Sequence, residues 1–287
     1  MDISSQRLDS DLGCWKHTEW RPAPGHPLAW AVDRVWDFDG TLSNPRERVF
    51  PNGMVELIVQ LDDLHVDVLQ TGAVLTPATC VTGIHSRALV VESPRSRCRV
   101  IAARLRPRGA WAVLGHPLGE LANRTSDLED LLGSAARELA DRCHGAGSGT
   151  ERVQRLVAWL QRRLLRSPPE TADSAAGWVA DRIVGTHGRV VIGALREKAG
   201  LSDARLSTLF QEQVGITPKR YARIHRLSLA LDLLRRSNLD LARIALDAGY
   251  YDQPHMNGEF REMAGLTPAQ FRAGSHYPDS PSLAEPA

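Results

Sequence analysis

The sequence predicts an α+β protein on three observations: short β-rich runs bounded by turn residues fill the first 115 residues, apolar spacing switches to threes and fours from Leu118, and one segment of the C-terminal third occurs twice. A mainly β N-terminal domain, a small barrel or sheet with helices, is expected over 1–165, β-rich over 15–115 and helical over 118–165. A linker over 166–176, an all-α domain over 177–272 made of two helix-turn-helix units and a long joining helix, and a disordered tail over 273–287 complete the expectation.

The strands are read from Val55 to Leu61, Val66 to Leu69, Ala88 to Val91 and Arg99 to Leu105, punctuated by Pro51-Asn52-Gly53, Asp62-Asp63, Gly72, Gly83 and Ser93-Pro94. Such a domain is expected to sense a ligand or to dimerise. Trp15, Trp20, Trp30 and Trp36 are core residues by the commoner reading and pocket lining by the rarer one. Val35-Trp36-Asp37-Phe38-Asp39-Gly40-Thr41-Leu42 has the spelling of the first motif of haloacid-dehalogenase-like phosphatases, an aspartate nucleophile followed by an acidic general acid. The rest of that chemistry is missing: no lysine lies between Lys16 and Lys198, and Asp62-Asp63 follows too soon for the intervening βα units. The segment is read as a turn between strands, and the chain as no enzyme.

Beyond Leu118, Leu128, Leu131, Leu132 and Leu139, and after Gly145 to Gly149 the stripe Val153, Leu156, Val157, Leu160 and Leu164, have helical spacing. Arg152, Arg155, Arg162 and Arg163 are placed outside that stripe, which suits either a dimer helix or packing within the chain.

The duplicated segment runs Ala199-Gly200-Leu201, Leu209-Phe210, Gly215-Ile216-Thr217-Pro218, and again Ala248-Gly249-Tyr250, Glu259-Phe260, Gly265-Leu266-Thr267-Pro268. A small residue and a glycine end one helix and allow a sharp turn. Asp203 and Asp252 are expected to cap the next helix, whose apolar residues are Leu206, Leu209, Phe210 and Val214 in one copy and Met256, Phe260 and Met263 in the other. Thr217-Pro218 and Thr267-Pro268 then open a further helix each. Between the units, Tyr221, Ile224, Leu227, Leu231 and Leu234 predict a rod of about twenty residues buried along one stripe, roughly 30 Å long, close to one turn of B-DNA. Two copies are too few for a helical-repeat scaffold, which is the alternative reading.

These residues resemble the DNA-binding domain of the AraC/XylS family of bacterial transcription regulators over roughly residues 178 to 272. The family's second unit has one more residue between turn glycine and recognition-helix phenylalanine, and here Gly200 to Phe210 is ten steps while Gly249 to Phe260 is eleven. Trp36, the run Phe50 to Val59 and the run Arg104 to Trp111 resemble an uncharacterised N-terminal domain found on a branch of that family. The resemblance implies sequence-specific binding of double-stranded DNA. Helical geometry and the family pattern together place Ala204, Arg205, Ser207 and Thr208 of the first recognition helix and Gln253, Pro254 and Asn257 of the second toward bases, with Lys219, Arg220, Arg261 and Arg243 for phosphates. Gly258 stands where the family often has a polar or basic side chain, so the second helix is expected to read less.

From Gly188 to Arg272, thirteen basic residues face nine acidic ones, a surplus of four in a chain of net charge +1, so the remainder sums to −3. Cys14, Cys80, Cys98 and Cys143 form no CxxC pair and no HExxH occurs, so free thiols without metal or cofactor are expected. With no signal-peptide pattern and no run of eighteen apolar residues, a cytoplasmic protein without a membrane partner is expected. A small-molecule effector and RNA polymerase are the other partners considered, and homodimer and monomer stay open.

Overall fold

The computed structural model describes residues 1–166, 174–277 and 282–285. In chain order its elements are strands β1 (Ile3–Ser10), β2 (Gly13–Trp20), β3 (Val32–Leu42), β4 (Arg46–Val49), β5 (Val55–Gln60), β6 (Val66–Leu69), β7 (Gly72–Leu75), β8 (Thr79–Thr82), β9 (Leu89–Glu92) and β10 (Cys98–Leu105). Helix α1 (Pro107–Leu114), a 3-10 turn at Leu118–Glu120, strand β11 (Thr125–Asp127) and helices α2 (Leu128–Leu132), α3 (Ser134–His144) and α4 (Gly149–Leu164) follow. The C-terminal part holds α5 (Ala175–Gly185), α6 (Ile192–Lys198), α7 (Asp203–Gln213), α8 (Pro218–Arg236), α9 (Leu241–Asp247), α10 (Gln253–Ala264), α11 (Pro268–Ala273) and a last strand, β12 (Leu283–Ala284).

The strands form two antiparallel sheets, ordered β1-β2-β3-β10-β5-β8-β11 and β12-β4-β9-β6-β7. The α+β class therefore holds, with a sheet-built N-terminal half and a helical C-terminal half. The segment Val35 to Leu42 is not a turn. It lies inside β3, paired on both sides, with Asp37 opposite Thr18 of β2 and Ile101 of β10. Gly40 sits against the backbone of Trp15, where any side chain would collide.

Asp37 is 1% exposed and accepts two hydrogen bonds from Arg152 of α4, at 2.5 and 3.0 Å. Arg152, expected outside the α4 stripe, is thus buried. A lone carboxylate in the middle of a sheet must find a cation or lose its charge, and the guanidinium supplies two parallel donors. Val153, Leu156, Val157 and Leu160 of the same helix pack into the core of their own chain, which answers the dimer-helix alternative. Each such side chain contributes about 1.5–3 kcal/mol on burial.

Three further expectations are corrected. The joining helix α8 buries more than a stripe: Ala222, His225 and Ala230 are covered together with Tyr221, Ile224, Leu227, Leu231 and Leu234, because α5, α9, α10, α11 and the loop between β4 and β5 pack around it. Ser202, not Asp203, caps α7, while Asp203 is the first helical residue and pairs with Arg196 at 2.8 Å. Within the segment expected as a disordered tail, Leu283 and Ala284 pair with Arg48 and Glu47 of β4 and Glu285 forms a two-toothed ion pair with Arg48. Part of the expected linker, 167–173, lies outside the described residues.

The helical half is seated on the sheets. Gly53, with φ +73, has no room for a side chain against His225 and Tyr221 of α8. Phe50 meets Phe271 of α11 edge-on at 5.3 Å, and the Ala88 N–H donates to the Met263 carbonyl at 2.6 Å.

Candidate nucleic-acid interface and inner cavity

The two units α6-turn-α7 and α9-turn-α10 have the same construction. Gly200 (φ +66) and Gly249 (φ +86) reverse the chain in the left-handed region, after which Leu201 and Tyr250 donate backward to Arg196 and Ala245. Ser202 accepts from the Arg205 N–H at 3.2 Å and Asp252 from the His255 N–H at 2.7 Å, as an N-cap must. Thr217 and Thr267 cap α8 and α11 in the same way, with Pro218 and Pro268 at the first position. Leu206 and Phe210 of α7, and Met256, Phe260 and Met263 of α10, are buried, which fixes the opposite faces outward.

On α7 that face exposes Ala204, Arg205, Ser207 and Thr208 together. The Thr208 hydroxyl donates to the Ala204 carbonyl at 3.0 Å, so it offers solvent its lone pairs and methyl group. On α10, Pro254 and Gly258 are exposed but Gln253 and Asn257 are half-buried. Asn257 Oδ1 is buried without a hydrogen-bond partner among the described residues, which withdraws the acceptor half of an adenine-type contact. The two faces are unequal for a geometric reason that Gly258 alone did not show.

Lys219 and Arg220 are exposed in the first turn of α8, and Arg261 is exposed on α10. Arg243 is exposed yet bonded to Asp247 at 3.0 Å. Arg223 and Arg226 are tied to Glu259 of α10, and Arg223 also to Glu262, so they lock α10 onto α8. Sequence reasoning missed Tyr251, 86% exposed in the turn just before α10. Its one signal was position, since it lies outside the helix whose face was being read.

A cavity of about 220 Å³ lies between the two sheets. One end is aromatic: Trp15 stacks with Phe38 at 5.9 Å and meets Tyr277 at 6.1 Å, with Trp36 nearby in the lining. Trp20 belongs to the core and Trp30 packs against it, so the four tryptophans divide between the two readings. Arg34 and Arg104 reach the cavity already paired, with Glu19 at 3.0 Å and Glu56 at 2.5 Å. The other end holds Asp67, Thr82 and Thr125. His65, bonded to Gln60 Oε1 through Nδ1 at 2.6 Å, is pushed down to about 4 by burial and is therefore neutral. Burial pushes the thiols of Cys80 and Cys98 up to about 12, which keeps them unreactive.

The helix-turn-helix domain family matches residues 195–274, and a domain of unknown function, DUF6597, matches residues 21–127. The arabinose operon regulatory protein of Salmonella typhimurium is 29% identical over 150 residues, 48% of this chain and 53% of that protein. The matched helix-turn-helix residues resemble the AraC/XylS family. The transcriptional activator RhaS of Escherichia fergusonii is 28% identical over 167 residues, 57% of each chain. Among solved structures, ToxT of Vibrio cholerae is similar at 9% identity with a TM-score of 0.45, covering 83% of this chain and 97% of that one. The chain spans about half the length of the relatives it matches, and the helix-turn-helix match falls on the two units whose exposed faces are described above.

Proposed function

We propose that this chain is a sequence-specific DNA-binding transcription regulator working in the cytoplasm, in which α7 and α10 enter neighbouring major-groove segments and the cavity between the sheets takes an effector. The observation that carries this reading is the pair of outward faces at the N-terminal ends of α7 and α10, attached before and after a buried 19-residue helix about 28 Å long. Lys219, Arg220 and Arg261, all exposed, are the phosphate contacts in this reading. Base readout rests mainly on Arg205, Ser207 and Thr208, with Ala204 against a thymine methyl and Gln253 as the principal reader of the second helix.

The phosphatase reading loses its residues. Asp37 is consumed by Arg152 and Asp39 by Arg97, at 2.5 and 2.7 Å, and a nucleophile held in a buried ion pair has no approach for substrate. Selection from random-sequence duplex DNA with the full chain is the test. Enrichment of a motif with two blocks about one helical turn apart is expected, and failure to enrich any motif sinks the proposal.

A further inference from the structure

The two seams between the sheets close differently. On one side Thr125 of β11 donates its hydroxyl to Asp67 Oδ2 of β6 at 2.7 Å. On the other, Tyr277, which follows α11, meets Trp15 and donates from its hydroxyl to the Asn44 carbonyl at 3.2 Å. The cavity therefore has three aromatic rings, Trp15, Phe38 and Tyr277, at one end, where the Glu47 carboxylate accepts from the Ser282 hydroxyl at 3.0 Å, and the carboxylate of Asp67 at the other.

Charge decides what fits. Both arginines of the lining are held by Glu19 and Glu56, so neither is free to receive an anion. Asp67 is 8% exposed, and among the described residues its side chain has one hydroxyl donor and no cation. With no cation to hold its charge, Asp67 is pushed by burial toward its protonated form, and an ammonium group that reaches it restores the carboxylate and gains an ion pair, a gain that an anionic ligand cannot make. Size narrows the class: a cavity of about 150 Å³ accepts a benzene ring, and this one, at about 220 Å³, adds room for a short arm.

Resting on the reading of this cavity as the effector site, we propose that it binds a small arylalkylamine, with the ammonium group on Asp67 and the ring against Trp15, Phe38 and Tyr277. The ring then touches the same chain segment that leaves α11, whose Phe271 is packed on Phe50 and Phe260. Occupancy is in this way felt at the base of the second helix-turn-helix unit.

Calorimetric titration of the full chain with 2-phenylethylamine, and with 3-phenylpropionate as an anion of similar size, tests this. The amine binds and the anion binds at least about tenfold more weakly, the loss expected when a charge-assisted hydrogen bond is missing. Asp67→Asn weakens the amine by about tenfold or more and no longer disfavours the anion, while Tyr277→Ala weakens the amine and Tyr277→Phe does not. Equal binding of amine and anion by the unaltered chain, no binding of the amine, or amine binding indifferent to Asp67→Asn overturns the proposal. The first two outcomes need no variant to fold. DNA selection is read separately: enrichment without amine binding removes the ligand class and leaves the regulator reading, and amine binding without enrichment does the reverse.

Discussion

The sheet half and the helical half use charge in opposite directions. In the sheets, Asp37–Arg152 is 2–3% exposed and Glu56–Arg104 is 18% and 14% exposed, so these pairs are part of the interior. In the helices, Arg236–Asp232 and Arg243–Asp247 lie in solvent, and Arg205, Arg220 and Arg261 stand out from the surface. Removing a buried charge such as Arg152 should therefore be felt as stability, and removing a protruding one such as Arg220 as affinity for a partner. Screened surface pairs contribute at most about 1 kcal/mol, whereas breaking a buried pair costs about 3–5 kcal/mol.

Acid should break the comparison most strongly. His65 and His85 beside the sheets and His225 at their joint with α8 are all pushed down to about 4 by burial. Each is neutral in the folded chain, whereas in the unfolded chain it gains a proton below about 6.5. The unfolded state thus binds more protons as pH falls from about 6.5 to 4, and stability falls over that window, by up to about 3 kcal/mol per histidine. Urea midpoints at pH 7 and pH 4.5 check this; equal midpoints would show that these imidazoles are not held neutral.

Next comes Arg152→Ala, which leaves Asp37 buried and unpaired and should cost about 3–5 kcal/mol in urea unfolding. A loss below about 1 kcal/mol would place this pair with the surface ones. In the helices, Gln253→Ala should relax preference at one or two base pairs of a selected site by about 1–3 kcal/mol. Arg220→Ala should weaken all sequences alike and lower the salt slope by about one. Binding titrations at two salt concentrations separate the two, and a change in stability from either would blur the division between the halves. The smallest effect is Gly258→Ala. Open space surrounds its Cβ position, so helix propensity should raise stability by about 0.5–1 kcal/mol, read as a higher Tm. An unchanged Tm would mean that α10 is held by Arg223 and Arg226 whatever its own propensity.

The helical half was legible because its signals are local. Gly200, Gly249, Gly215 and Gly265 all have positive φ, and Thr217-Pro218 and Thr267-Pro268 carry their meaning within three residues. The strands Val66–Leu69 and Cys98–Leu105 were read nearly to the residue from their β-rich runs between turns. Strand β1, Ile-Ser-Ser-Gln-Arg-Leu-Asp-Ser, shows little apolar alternation because it is an outer strand and mostly exposed. Strand β3 was hidden by Asp37 and Gly40, whose reasons to be there are Arg152, 115 residues away, and the backbone of Trp15. The outward face of α7 followed from the spacing of Leu206 and Phe210. The inward turn of Asn257 depends on packing that no spacing encodes.

The pairing of β12 with β4 joins residues about 235 positions apart, and that distance is also a delay. At about 5–20 residues per second of synthesis, β4 and β9 wait on the order of 10–40 s beside each other before their neighbour exists. A ribosome-bound chain can therefore complete the rest of its sheets while the aromatic end of the cavity stays open. The cavity acquires its last wall only after both helix-turn-helix units have left the ribosome, so its site is finished on a chain that already has α7 and α10.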